Sequence, residues 1–299
     1  MSTLRIGTRA SPLALRQTEL VGARLRAAWP DLTIDLVEIA TAGDRDQTSA
    51  LSSGEGVGWF TSAIQEALIA KTVDVAVHSY KDLPTARPKG LVIAAVPERA
   101  DPRDVLVSRS GASLAELPTA AVLGTSSPRR AAQVAALRGD LDIRSIRGNV
   151  ETRLAKVDRG EFDGALFALA GLERLGLTHR VTQTFGFEEM LPAPAQGALA
   201  VECRRDDEAT GRLLAAVDDP ELRQLAGAER AFLAALEAGC SYPAAAYAEG
   251  FGSTLKLHGL VAPDGVIVRS RVGGPRATGP GLGRALAREL LDLAAQRTS

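Results

Sequence analysis

The chain has 299 residues, 45% hydrophobic and 24% charged, an ordinary balance for a globular protein and long enough for two or three domains. A formal net charge of −1 and an aromatic content of 4% supply neither a field that attracts nucleic acid nor platforms on which bases stack. No apolar run reaches the roughly 18 residues of a membrane span, and Met1–Arg5 leads into a strand without an export signal, so a cytoplasmic protein is expected.

Residues 4–8 read as a strand, and Ser11-Pro12 then caps a helix with Leu13, Leu20, Val21, Leu25 and Ala28 near one face. Residues 32–40 alternate as a second strand. A glycine- and serine-rich loop follows over 41–58, then a helix over 60–71 and strands over 73–77 and 91–96. Strand and helix alternating in this way predict an α/β layer with parallel strands. Polar residues collect where the strands end, at Thr8-Arg9-Ala10-Ser11 and at His78-Ser79-Tyr80-Lys81-Asp82, which is where such sheets bind ligands.

The proline-bearing stretch 97–104 reads as a crossover into a second α/β set, with strands near 105–107, 120–123, 141–146 and 164–168 and helices near 127–138, 149–159 and 169–175. Pro192-Ala193-Pro194 reads as the crossover back, with a returning strand over 197–202. Two lobes joined by two such breaks predict a cleft that closes by hinge motion. A long helix starts at Pro220; strands follow near 244–249, 254–261 and 266–272, then a helix over 281–296. The fold class expected is therefore α/β, with two periplasmic-binding-protein-like lobes around a hinged cleft and a small α+β C-terminal domain. The boundaries expected are 1–98 with 197–216, then 99–196, then 217–299.

Two stretches point to anion binding: Gly124-Thr125-Ser126-Ser127-Pro128-Arg129-Arg130 and Ile146-Arg147-Gly148-Asn149-Val150-Glu151-Thr152-Arg153. Guanidinium forks match carboxylates and phosphates two bonds at a time. Ser127 before Pro128 reads as a helix N-cap, and a helix N-terminus adds unpaired N–H groups and partial positive charge. The chain carries 30 arginines against five lysines, so the clustering with small hydroxyl and glycine residues is the signal rather than arginine itself. His78, His179 and His258 are far apart without ligand spacing, and the two cysteines are separated, so no metal site is expected. His78 reads as a strand-end histidine packed locally rather than a ligand. Cys203 ends an apolar strand, whereas Cys240 lies on a glycine-flanked loop; by themselves these settings leave Cys240 open between a reactive thiol and an inert small hydrophobe. Neither GxGxxG after a strand, nor GxxxxGK[ST], nor GxSxG occurs.

Taken together, Thr8-Arg9-Ala10-Ser11-Pro12-Leu13-Ala14-Leu15, His78-Ser79-Tyr80-Lys81-Asp82-Leu83-Pro84, Gly124 to Arg130, Arg147-Gly148-Asn149-Val150, Pro194-Ala195-Gln196-Gly197 and Gly239-Cys240 resemble the porphobilinogen deaminases (hydroxymethylbilane synthases) in order and spacing along essentially the whole chain. The resemblance implies a monomeric transferase of tetrapyrrole and heme biosynthesis. It would condense four porphobilinogen molecules head to tail with loss of ammonia and free hydroxymethylbilane by hydrolysis. It implies a dipyrromethane cofactor in thioether linkage to Cys240, with Cys203 uninvolved. It also implies Asp82 as the catalytic residue. Ser79, Lys81, Thr125, Ser126, Ser127, Arg129, Arg130, Arg147 and Gly148 would hold the cofactor; Arg9, Ser11, Gln17, Arg147, Arg153, Arg174 and Gln196 would hold the substrate. One departure lies in the glycine-rich loop over 43–58, where two lysines common in the family are replaced by Ser53 and Val57.

Two other classes stand beside this reading. A non-catalytic, two-lobed anion receptor or effector domain would share the fold but leave Asp82 and Cys240 without a task. A thiol hydrolase would need a histidine base near Cys240, and His258 is the only neighbour in sequence.

Overall fold

The computed structural model describes residues 3–40, 61–236 and 243–298. Contacts gather the chain into two compact units, residues 1–99 with 198–223 and residues 100–197 with 224–299. In chain order the first unit opens with β1 (Thr3–Thr8), α1 (Pro12–Ala28), β2 (Thr33–Glu38), α2 (Ser62–Ile69), β3 (Val75–Ser79) and β4 (Leu91–Ala95). The second unit begins with β5 (Asp104–Ser108), β6 (Val122–Gly124), α3 (Pro128–Leu137), β7 (Asp142–Arg144), α4 (Val150–Asp158), β8 (Gly164–Ala168), α5 (Leu169–Arg174) and β9 (Gln183–Thr184). The chain then returns to the first unit as β10 (Leu199–Arg204) and α6 (Glu208–Ala215). α7 (Pro220–Ala235) leads back into the second unit, which ends with β11 (Ala244–Phe251), β12 (Thr254–Val261), β13 (Val268–Pro275) and α8 (Gly279–Thr298). Strand β9 and helix α6 are too short and too weakly patterned to be read from the sequence.

Each unit carries one five-stranded sheet, in the orders β2-β1-β3-β10-β4 and β7-β6-β8-β5-β9. The two orders are the same pattern, which is the lobe expected from the sequence, built twice. The expectation of parallel strands holds only for the first three positions of each sheet. β10 runs antiparallel to β3 and β4, and β5 runs antiparallel to β8 and β9. β5 and β10 are the first strands after each crossover, so neither follows a helix from its own sheet and the rule for βαβ units does not govern them.

In the first unit one face of the sheet packs Leu4, Ile6, Val75, Val77 and Val201 with Val21 and Leu25 of α1. Ile64 and Leu68 of α2 join Val73, Ala76 and Leu91 in a second cluster. The buried stripe of α1 differs from the one expected. Ala28 is exposed, and Gln17 and Thr18 are buried beside Val21 and Leu25. Two polar side chains are tolerated there because both are bonded: the Thr18 hydroxyl lies 2.9 Å from both Thr8 Oγ1 and Ala14 O, and Gln17 meets Ser79.

The third sheet, β11-β12-β13, is an antiparallel meander. Alternation places Ala244, Ala246, Ala248, Leu255 and Leu257 on one face, against Phe232 of α7 and Leu286 and Leu290 of α8. Gly283 lets α8 approach closely: a Cβ there would lie 2.3 Å from Ala228 O and 2.8 Å from Phe232 N. The other face, with Ala245 and Leu260, packs on Leu191, and Phe187 stacks on Tyr247 at 4.2 Å between ring centroids. The α+β segment and the second five-stranded sheet thus share one unit. Among the described residues no helix is long and apolar enough to cross a membrane.

Candidate functional site

In the first unit the C-terminal ends of the parallel strands β1 and β3 lie side by side. The chain leaves β1 at Arg9, and Ser11 caps α1 by accepting from Ala14 N at 3.3 Å. It leaves β3 through a 3₁₀ turn, Tyr80–Asp82, whose Tyr80 N–H donates to Ala198 O at 3.0 Å. Tyr80 points into the core, Lys81 is half-buried and Asp82 is exposed. These ends enclose a recess lined by Arg9, Gln17, Thr61, His78, Ser79 and Asp82, among others. The Gln17 side-chain amide donates to Ser79 Oγ at 2.8 Å, tying α1 to the end of β3. Four residues assigned from the sequence, Arg9, Gln17, Ser79 and Asp82, are therefore brought together.

Behind the recess lies a polar group that sequence reasoning missed. His78 Nε2 is 3.3 Å from Glu202 Oε2, both side chains being buried, and Gln65 Nε2 donates to both oxygens of Glu202 at 3.2 and 3.1 Å. The signal was present in the sequence as a lone carboxylate inside the apolar run 198–203.

The second unit holds the hydroxyl, glycine and arginine stretches. Ser127 is the N-cap of α3, its Oγ accepting from Arg130 N at 3.4 Å, with Pro128 at the first helical position as expected. Thr125 Oγ1 accepts from Ser127 N at 3.2 Å, and Ser126 Oγ donates to Ile146 O at 2.7 Å. The bond from Ser126 joins the loop after β6 to the segment after β7. Gly148 has φ 112°, and a Cβ there would lie 2.5 Å from Thr152. Asn149 then caps α4, its Oδ1 accepting from Thr152 N at 2.8 Å. Arg153 Nε donates to Gly148 O at 2.7 Å, and Arg174 donates to Gly197 O at 2.8 Å. The half-buried Arg147 guanidinium has no hydrogen-bond or ion-pair partner among the described residues.

Arg129 and Arg130 are placed differently from a pair of open anion binders. Both are buried on one carboxylate, Asp104 of β5, which the sequence reading did not single out. Arg129 reaches Asp104 through Nη1 at 2.6 Å and Nη2 at 3.2 Å; Arg130 does so through Nε at 2.9 Å and Nη2 at 2.7 Å. Their remaining contacts include Leu191 O at 2.8 Å and Leu166 O at 3.1 Å. Gln196, also buried, donates to Asp104 at 3.0 Å and to Pro102 O at 2.7 Å. Burial opposes ionisation of Asp104, but the two guanidiniums outweigh it and hold the carboxyl well below the usual carboxylate range. Two cations on one anion leave this buried cluster with an excess of positive charge.

Ala195, beside Gln196, has φ 63°, and its N–H donates to Glu229 Oε2 at 2.6 Å. Glu229 Oε1 accepts from Ala248 N at 2.8 Å, so one buried side chain of α7 pins the Pro194–Gly197 turn and β11 together. Cys240, three residues before Pro243, lies outside the described residues, as does the loop 43–58 with Ser53 and Val57.

A dipyrromethane with acetate and propionate arms needs several donors for carboxylates. The second unit offers them: the open guanidinium of Arg147, the hydroxyls of Thr125, Ser126 and Ser127, and the first turn of α3. The donor set fits such a group. The buried Cys203 thiol does not; burial pushes it up to about 11, which keeps it protonated and unreactive.

Comparison with known proteins agrees with this chemistry. Residues 4–212 match the family model "Porphobilinogen deaminase, dipyromethane cofactor binding domain", and residues 224–292 match "Porphobilinogen deaminase, C-terminal domain". The chain is 45% identical to a porphobilinogen deaminase of Syntrophobacter fumaroxidans over 297 residues, covering 98% of this chain and 96% of the relative. It is 46% identical to that of Roseiflexus castenholzii, covering 99% and 98%, and 49% identical to that of Nocardia farcinica, covering 98% and 87%. A recess holding one carboxylate, a donor set for a polycarboxylate and agreement along both matched segments have one common account: the chain belongs to the porphobilinogen deaminase family.

Proposed function

We propose that this chain carries out the reaction of its family with Asp82 as catalytic residue and Cys240 as the anchor of the cofactor. The reaction joins four porphobilinogen molecules head to tail with loss of ammonia and ends in hydrolytic release of hydroxymethylbilane. The observation that carries the assignment of Asp82 is the recess at the ends of β1 and β3, where its exposed carboxylate stands beside Arg9, Gln17 and Ser79.

The division of labour follows the sequence. Residues 1–98 with 197–216 carry Asp82, 99–196 carry the anion donors, and 217–299 carry Cys240. When bound, the dipyrromethane supplies the nucleophilic pyrrole carbon at which chain growth begins. Loss of ammonia leaves positive charge on the incoming pyrrole, and a carboxylate at that place stabilises it and can take up the proton released when the ring carbon is substituted. Asp82 is the group for that task. Arg9 and Ser11, with Gln17, orient the carboxylate arms of the substrate. Lys81 and Ser79 adjoin Asp82 and hold the cofactor side. In the second unit Arg147 and the hydroxyls of 125–127 bind carboxylates directly, with Gly148 permitting the turn that presents Arg147. Arg129 and Arg130 supply buried positive charge beneath them, and Arg153, Arg174 and Gln196 complete the substrate contacts. The same reading takes the protein to be a cytoplasmic monomer acting on a small molecule, without a nucleic-acid or membrane partner; the net charge of −1 and the low aromatic content support it.

The test is intact mass under denaturing conditions for the native protein and Cys240→Ser, together with consumption of porphobilinogen. A mass excess of two linked pyrrole units, absent from the variant, with turnover only in the native protein, is the expected result. A native mass that stays unmodified after incubation with porphobilinogen would return the anion-receptor reading, which gives Asp82 and Cys240 no task.

A further inference from the structure

Glu202 is wholly buried in β10, in a run that is otherwise apolar. A carboxylate in that setting is costly unless charge and hydrogen bonds compensate it. Gln65 of α2 supplies the hydrogen bonds, to both oxygens. Among the described residues His78 is the one ionisable group within ion-pair distance, at 3.3 Å. His78 Nε2 and Glu202 thus make a buried polar contact, without hydrogen-bond geometry, that bridges the adjacent strands β3 and β10.

The location gives the pair its significance. His78 is followed by Ser79, and then by the 3₁₀ turn that ends in Asp82. It also lines the recess itself, with Arg9, Gln17 and Asp82. The parallel register Ile6↔Val75 and Gly7↔Ala76, continued by two residues, brings Arg9 level with His78. The end of β3 is therefore anchored on three sides: by Tyr80 N to Ala198 O, by Ser79 to Gln17, and by His78 to Glu202.

We propose that His78 and Glu202 are positioning residues for the reaction: their buried contact across β3 and β10 sets where the end of β3, and hence Asp82, stands relative to Arg9. The inference rests on the reading of Asp82 given above. A misplacement of about 1 Å at a reacting group can cost about a hundredfold in rate, so partial loss of this anchor should be visible in turnover.

The experiment compares Glu202→Gln, His78→Gln and the double variant with the native protein, counting only molecules that carry the covalent cofactor by intact mass. Each single variant is expected to lower kcat per loaded molecule by about tenfold while KM for porphobilinogen stays within about twofold, because the defect lies in placement and not in substrate binding. The double variant leaves neither ionisable side chain buried without the other, so it is expected to fold, and its loss should match a single variant's because the two residues act as one unit. Glu202→Asp, which keeps the carboxyl group, is expected to recover most of the rate; a residue that only filled space would not be rescued by a shorter side chain. Native kcat in the loaded double variant, with only a lower melting temperature, overturns the proposal. A native protein that does not consume porphobilinogen overturns instead the functional reading on which it rests.

Discussion

Asp104 is a buried charge of the second unit bonded on several sides, and its removal is a direct test of how that unit is held. Five contacts between 2.6 and 3.2 Å converge on it, from Arg129, Arg130 and Gln196. Asp104→Asn keeps the shape but leaves two buried guanidiniums without an anion. Breaking a buried pair from one side costs about 3–5 kcal/mol, and here two cations lose their partner, so a loss of about 4–5 kcal/mol is expected. With a urea m-value of about 2–3 kcal/mol/M, the midpoint falls by about 2 M. Trp29 belongs to the first unit, so far-UV circular dichroism, which reads the secondary structure of both units, is the probe used. The folded-state value of Asp104 lies below its unfolded value. Its contribution is therefore complete above the unfolded value of about 4 and is lost as the pH falls through the folded one, a dependence that Asp104→Asn should lack. Asp104→Leu with Arg129→Met and Arg130→Met removes all three charges and should cost less stability than Asp104→Asn alone. A midpoint for Asp104→Asn within about 0.3 M of native, or a triple variant that is the weaker of the two, would refute the charge-compensation argument.

Asp82→Asn is expected to lower kcat by about a hundredfold or more while the covalent cofactor mass is retained; loss of the cofactor instead would make Asp82 a binding residue. Gly283→Ala drives a methyl into the backbone of α7, 2.3 Å from Ala228 O, and should cost about 1–3 kcal/mol despite the better helix propensity of alanine, as read by thermal melting. Gly148→Ala meets both a φ of 112° and the side chain of Thr152 at 2.5 Å; a destabilisation of about 1–3 kcal/mol with weaker cofactor retention is expected, and unchanged retention would separate the turn from the donor set. The Cys203 thiol, pushed up to about 11 by burial, should resist iodoacetamide at pH 8, where about one molecule in a thousand is thiolate, and react only after denaturation. Rapid native labelling at Cys203 would contradict its burial.

Much of the molecule was legible in local pattern. The caps Ser11-Pro12 and Ser127-Pro128 were readable because capping is chemistry between residues three apart. The strands read over 4–8 and 73–77, which form β1 and most of β3, were readable because burial imposes its period on consecutive side chains. Strand direction was not: β5 and β10 read as ordinary strands, and only their neighbours across a crossover make them antiparallel. Gln17 and Thr18 broke the expected apolar stripe of α1 because their partners, Ser79 and Thr8, are contributed by other elements.

The same distinction runs through the site. Residue type and order determined by themselves that Asp82 follows a strand, that Ser127 opens a helix, and that arginine, glycine and hydroxyl groups cluster in two short runs. The tertiary structure decided how those charges are used. It set Arg129 and Arg130 on Asp104 and left Arg147 open, although all three read alike as anion binders. It brought Glu202 to His78 across more than a hundred residues of chain. An ion pair depends on the distance between two side chains and on the dielectric around them, and both are properties of the packed interior.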